Sequence, residues 1–213
     1  MGQKVNPKAF RLGNLYTWES RWFANGKNYQ RILIGDLTLR KELMKKLKPS
    51  GLARVEIERS INAINLTLFV ARPGMVIGRG GTGLEELKKF ISKLLGVSEN
   101  DKQAPKVALT IEPVKEPNLD AYLVAINISD QLIKRLPYKR VLRGMADRIM
   151  ASGAKGVKIL LSGRIAGAEI SRREKIQKGT LPLSTIREKI DFASVPALTK
   201  SGYVGVKVWI NRL

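Results

Sequence analysis

The chain has 213 residues, with 39 Lys and Arg against 18 Asp and Glu, a formal net charge of +21. Its 44% hydrophobic residues are enough to bury a core, which excludes a disordered polybasic tail. The absence of Cys and His excludes disulfides, Cys/His zinc sites, thiol nucleophiles and Ser-His-Asp triads.

No apolar run approaches the roughly 18 residues of a membrane span, and the start, Met1-Gly2-Gln3-Lys4-Val5-Asn6-Pro7, lacks the apolar stretch of a secretion signal. Gly2 invites a myristoylation reading, but Asn6 stands where that motif requires Ser or Thr. A cytosolic protein with a polyanionic partner is expected, because each Lys or Arg that meets a phosphate releases condensed counterions. The bland alternative is a basic surface that only confers solubility.

Residues 1–16 carry Lys4, Lys8 and Arg11 with Pro7 and Gly13 and show no apolar period, so they read as an irregular basic arm that orders only on a partner. From Asn28 to Lys48, Ile32, Leu33, Leu39, Leu43, Met44 and Leu47 recur at helical spacing, and Pro49-Ser50-Gly51 ends the helix. Alternation of Val55 and Ile57, then of Ile64, Leu66, Leu68 and Val70, predicts two strands joined at Ser60-Ile61-Asn62 as a hairpin with one buried face. A short helical turn after Arg72-Pro73-Gly74 leads into Gly78-Arg79-Gly80-Gly81. Thr82-Gly83-Leu84-Glu85 then reads as a capping box opening a helix striped by Leu84, Leu87, Ile91, Leu94 and Leu95 and closed at Gly96. Val107, Leu109 and Ile111 alternate as a third strand.

Residues 113–118, with two prolines and mixed charge, form the expected linker between a domain at 17–112 and another at 119–213. The second domain opens with a helix from about Leu119 that is interrupted near Pro137, and a second helix from there to Ala151. Strands are expected at Val157–Leu161, Ala168–Ile176, Ile186–Ser194 and Tyr203–Ile210. The fold class is therefore α+β in two domains, the second being two helices on one face of a four-stranded, mostly antiparallel sheet.

Three constellations carry chemistry. The loop Gly78-Arg79-Gly80-Gly81 lets a phosphate–sugar chain approach the backbone near a helix N-terminus. Such a GXXG loop, between two helices beside a three-stranded sheet, resembles the nucleic-acid clamp of a KH domain, and the order αββααβ resembles its second, bacterial-type arrangement. Gly78, Gly80 and Gly83 also match G-x-G-x-x-G, but Arg72-Pro73-Gly74 interrupts the strand a dinucleotide fold requires, and the next acids, Glu99 and Asp101, fall in a polar loop. A plain helix-start turn is the other reading. In the second constellation, Lys139, Arg140 and Arg143 share one helix face, where like charges repel unless a phosphate lies across them. Asp147, four after Arg143, neutralises the face only in part, and a merely solvated face is the alternative. Third, Arg164 in a glycine-flanked turn and Arg172-Arg173 on the next strand suggest a second RNA surface. Trp18, Trp22 and Phe23 beside Arg21 read equally as base-stacking residues or as core anchors.

Taken together, these segments resemble the third-protein family of the bacterial-type small ribosomal subunit over nearly the whole chain. The resemblance rests on the opening Met1–Pro7 with Phe10-Arg11-Leu12-Gly13, on Arg72-Pro73-Gly74 with Ile77–Gly81, and on Gly153-Ala154-Lys155-Gly156. It continues through Ser162-Gly163-Arg164, Gly167-Ala168-Glu169-Ile170 and Gly205-Val206-Lys207-Val208-Trp209-Ile210. It implies a type-two KH domain and a family-specific carboxy-terminal domain bound to ribosomal RNA in the head of the small subunit, in cytoplasmic or plastid ribosomes. It further implies that Lys139, Arg140 and Arg143 line the channel through which messenger RNA enters, with the fourth and fifth small-subunit proteins, and help unwind it. The tenth and fourteenth proteins are implied neighbours. From the basic arm and the turn read above, Lys4, Lys8, Arg11, Arg21, Arg164, Arg172 and Arg173 are expected to make further ribosomal RNA contacts.

The chain departs from the family in carrying Gly80 where a second basic loop residue is common and Lys139 where Arg is familiar, which reduces bidentate phosphate gripping there. It ends at Leu213 without a long tail, so tail-dependent contacts of longer relatives are not expected. No catalytic residue, cofactor or metal is expected. A free KH-type regulator of messenger RNA and an enzyme, either dinucleotide-dependent or a nucleic-acid lyase, are the rival readings. The absence of His removes the commonest general base from the enzyme.

Overall fold

The computed structural model describes residues 4–60, 62–96 and 106–212. Ile61 of the expected turn and the loop holding Glu99 and Asp101 lie outside the described residues. The chain divides into two units, one from Trp18 to Lys115 and the other from Glu116 to Leu213 together with the residues up to Thr17.

In the first unit a two-residue strand β1 (Ser20–Arg21) precedes α2 (Gly26–Lys46), the short amino-terminal helix α1 (Pro7–Phe10) belonging to the other unit. Strands β2 (Leu52–Arg59) and β3 (Ala63–Val70) pair antiparallel, with Ile57 opposite Leu66 and Val55 opposite Leu68, as the alternation requires. After the five-residue α3 (Pro73–Ile77) and α4 (Thr82–Leu95), β4 (Lys106–Pro113) returns parallel to β3. The sheet order is β1-β2-β3-β4, four-stranded where three strands were expected, because β1 adds in parallel to the free edge of β2. Leu39, Leu43, Val55, Ile57, Leu66, Leu68, Val76, Leu87 and Ile91 are buried together between the helices and one sheet face.

The first half of α2 inverts its expected stripe: Leu33, Ile34 and Leu37 are exposed, while Asp36 is only 3% exposed. Asp36 accepts hydrogen bonds from Arg59 Nε at 2.8 Å and from the Trp22 indole N–H at 2.7 Å. A buried carboxylate is tolerated because a guanidinium and an indole compensate its lost hydration.

In the second unit α5 (Ala121–Ile133) and α6 (Tyr138–Ala151) pack on an all-antiparallel sheet of order β6-β5-β8-β7. Its strands are β5 (Gly156–Gly163), β6 (Arg172–Gly179), β7 (Ile190–Thr199) and β8 (Gly202–Asn211). Two of the expected strands begin four residues late. The 164–171 segment is spent on a turn that Arg164 Nε closes onto the Ala168 carbonyl at 2.9 Å, leaving Ile170 79% exposed. Before β7, the Glu188 carbonyl accepts from Arg11 Nε at 2.8 Å, and β7 starts opposite the end of its partner β8, with Ile190 facing Asn211.

The amino-terminal arm, expected to order only on a partner, is folded onto this unit. Pro7–Phe10 forms α1, capped by Asn6, and the Arg11 side chain is fully buried. Its guanidinium donates to the carbonyls of Glu188 at 2.8 Å, Thr185 at 2.8 Å, Leu183 at 3.0 Å and Pro7 at 3.1 Å. Lys8 Nζ lies 2.7 Å from buried Asp191, which also accepts from Arg212 Nη2 at 2.8 Å and from the Ala121 N–H at 2.9 Å.

Candidate nucleic-acid interface

The glycine loop is built by three positive φ angles: Gly78 at 71° with ψ −179°, Gly80 at 64° and Gly81 at 84°. The Gly78 conformation is essentially closed to any residue with a Cβ. Around Gly80 and Gly81 there is open space beyond 4 Å, so a ligand backbone can approach the loop. Gly83 serves a different purpose. A Cβ there would lie 2.6 Å from the Val76 carbonyl oxygen and 3.1 Å from that of Ile77, so its bareness lets α3 and α4 cross closely enough to present the loop.

The expected capping box is not formed. Thr82 already has helical angles, its hydroxyl donates back to the Arg79 carbonyl at 3.1 Å, and the N-cap is Gly81 with no side chain to offer. The first N–H groups of a 14-residue helix are therefore left without a side-chain acceptor beside exposed Arg79, an arrangement that favours an anion.

On α6, Val141, Leu142, Met145, Ala146 and Ile149 are buried, which turns Lys139, Arg140 and Arg143 to solvent together. Among the described residues none of the three makes a side-chain hydrogen bond or ion pair. Asp147, expected to neutralise Arg143 in part, pairs instead with Lys178 of β6. The first turn of α6 has no acid, and Pro137 at its N-cap offers no capping side chain. Lys139 and Arg140 thus sit at the positive end of a helix dipole, where a cation costs about 0.3–1 kcal/mol. A face that is both self-repelling and opposed to its own helix is arranged for a polyanion.

The remaining expected contacts divide. Lys4, Arg79, Arg164, Arg172 and Arg173 are exposed. Arg21 is half-exposed but matched by Glu58 at 2.7 Å and Glu56 at 3.3 Å. Arg11 is fully buried with a carbonyl at every donor, so it is a structural group and not a surface contact, while the part-exposed Lys8 ammonium pairs with Asp191. Trp22 is an anchor, bonded to Asp36 with its ring 5.3 Å from that of Tyr29, whereas Trp18 and Phe23 are 70% and 87% exposed. The dinucleotide reading fails on geometry, because β3 ends at Val70 and α3 separates it from Gly78. Asp36 and Gly83 were the structural residues missed: one is an acid on the core side of a helix, the other a glycine just inside a helix start.

Residues 38–119 match the KH domain family, and residues 128–210 match the family described as Ribosomal protein S3, C-terminal domain. Over 212 residues, 100% of this chain, it is 45% identical to small ribosomal subunit protein uS3 of Carboxydothermus hydrogenoformans, of which 92% is covered. The proteins of the same name from Lactobacillus helveticus and Vesicomyosocius okutanii are 47% and 43% identical over 100% of this chain and 91% and 89% of theirs. With a KH unit, a matching carboxy-terminal unit and full-length identity at this level, the chain belongs to the uS3 family of small ribosomal subunit proteins.

Proposed function

We propose that the protein is a non-enzymatic constituent of the small ribosomal subunit that binds ribosomal RNA, and that the α6 face contacts incoming messenger RNA and helps to separate its strands. The name its relatives carry supports the first part. The second is carried by one observation: Lys139, Arg140 and Arg143 stand exposed and unmatched at the N-terminal end of a helix with no acid in its first turn. Such a face neutralises phosphates on a single strand and biases local openings of a duplex toward the open form, without nucleotide hydrolysis. The loop Gly78–Gly81, with Arg79 and the uncapped start of α4, is a second RNA seat that depends more on backbone N–H groups than on charge. Exposed Lys4, Arg164, Arg172 and Arg173 add ribosomal RNA contacts. In the assembled particle the fourth and fifth proteins share the message channel and the tenth and fourteenth are neighbours.

The test is reconstitution of small subunits with Lys139, Arg140 and Arg143 all changed to Ala. Assembly should proceed, and translation should slow on a message with a stable hairpin ahead of the decoding site but not on an unstructured one. Equal rates on both messages would refute the role assigned to α6.

A further inference from the structure

Where α5 meets α6, the second unit carries a hollow of about 430 Å³ that the α6 reading does not use. Its walls are the elbow Arg135–Tyr138, the turn Arg164–Gly167 and the tip of the β7–β8 hairpin, Thr199–Ser201. Buried Ile165 and Val204 form an apolar floor. Arg135, Arg164 and Lys200 stand on its rim, and no acid lines it. A volume of this size lies within the range of small-ligand sites, roughly 300–1,000 Å³. A second hollow of about 360 Å³, lined by Arg140, Gly144 and Arg148 of α6, shares Leu136 and Pro137 with the first. The two hollows therefore adjoin at the elbow, which brings the basic helix face next to the first hollow.

Only two residues other than glycine have positive φ among the described residues, Arg135 at 59° and Ala166 at 56°, and both line this hollow. Arg135 closes α5: its N–H donates to Leu132 at 2.9 Å and the Leu136 N–H donates to Gln131 at 3.2 Å. This is the Schellman arrangement, whose left-handed position normally holds glycine. An exposed arginine there forgoes stability and, among the described residues, gains no side-chain partner, but it keeps a guanidinium on the rim of a hollow that no described acid lines.

We propose that this hollow takes one unstacked base of a single-stranded RNA whose neighbouring phosphates lie on Arg135, Arg164 and Lys200, the strand continuing past the elbow to Arg140. The base would stack against Tyr138 and a guanidinium plane, a sequence-tolerant mode of recognition. The direction of the strand rests on the reading of α6; the hollow as a base site does not.

The test uses the full-length chain and a ten-nucleotide oligouridylate carrying one 4-thiouridine. The expected crosslink maps to the elbow or to the 199–204 hairpin. Ser201→Trp, which fills the hollow without removing charge, should lower that crosslink at least fivefold while leaving crosslinks elsewhere intact. Arg135→Gly should raise the melting temperature by about 2–4 °C yet lower the same crosslink about fivefold. No crosslink at the hollow, or one unchanged in both variants, would overturn the proposal. So would a photoreactive residue at position 201 that captures a protein and no RNA in reconstituted subunits. Alanine at 139, 140 and 143 separates the two readings: slowed translation through a hairpin message without loss of the hollow crosslink is expected if both hold. Equal rates on the two messages refute the α6 reading alone.

Discussion

Replacing Arg11 by Met keeps most of the side-chain stem and removes the guanidinium. Four carbonyls, those of Glu188, Thr185, Leu183 and Pro7, lie between 2.8 and 3.1 Å from its nitrogens, and the side chain is fully buried. Each hydrogen bond from a charged donor is worth about 1.5–3 kcal/mol net, so the four would sum to far more than a single residue contributes; the desolvation of the guanidinium offsets several kcal/mol of it. The segments that supply the carbonyls are partly exposed, so water can reach some of them once the donor is gone. A loss of about 3–5 kcal/mol remains, confined to the unit that contains the arm. Urea unfolding followed by circular dichroism, with hydrogen exchange on peptides covering residues 7–16 and 182–190, measures it. Both peptides should lose protection while those of Trp18–Lys115 keep theirs. Arg11→Lys, which keeps the charge but cannot span the four acceptors, should lose nearly as much. A loss under about 1 kcal/mol, the range of exposed substitutions such as Lys4→Met, would refute the argument that Arg11 is a structural tie.

Gly83→Ala places a methyl group 2.6 Å from the Val76 carbonyl oxygen, so α3 must move off α4; the KH unit should lose about 1–3 kcal/mol in thermal melts and the loop should lose RNA affinity. Unchanged melting would show that the crossing relaxes freely. Around Asp191, burial pushes the carboxyl up, but the Lys8 and Arg212 charges and the hydrogen bonds it accepts outweigh this and hold it below the ordinary range. Asp120 is pushed above its ordinary value by burial and by the Asp191 charge. Asp191 therefore contributes stability that is present above its unfolded value and is lost as pH falls through its lowered folded value. Lys8→Met raises that folded value, so the acid-unfolding midpoint should move to higher pH; a midpoint that stays in place or moves down refutes the assignment.

Alternation and spacing made much of the fold legible. The period of two in residues 55–70 and the 84–95 stripe ending at Gly96 required only local physics, and their elements are found where expected. What escaped was set by long-range partners. Arg11 looks like an RNA cation until the carbonyls about 170 residues away are placed around it. Asp36 breaks the helix stripe because Arg59 and Trp22 are brought to it by the sheet. Thr82 has the spacing of a cap, but the loop enters through left-handed glycines that carry the chain past the capping position. The α6 cations were legible from spacing, whereas the release of Arg143 from Asp147 required the position of Lys178 on β6.

The unit that holds the arm is discontinuous in the chain, with the whole KH unit between its two parts. Synthesis runs from the amino terminus, so Arg11 emerges long before Glu188, Thr185 and Leu183 exist to receive it. The intervening unit, which has its own buried core, can condense first and fold as a local body. During that interval the arm is a loose polycation, and it becomes a fastener only when residues 182–188 are made. The docking of Arg11 thus reports that synthesis has passed residues 182–188, and a product truncated before them would be left with its amino terminus unsecured and open to proteolysis.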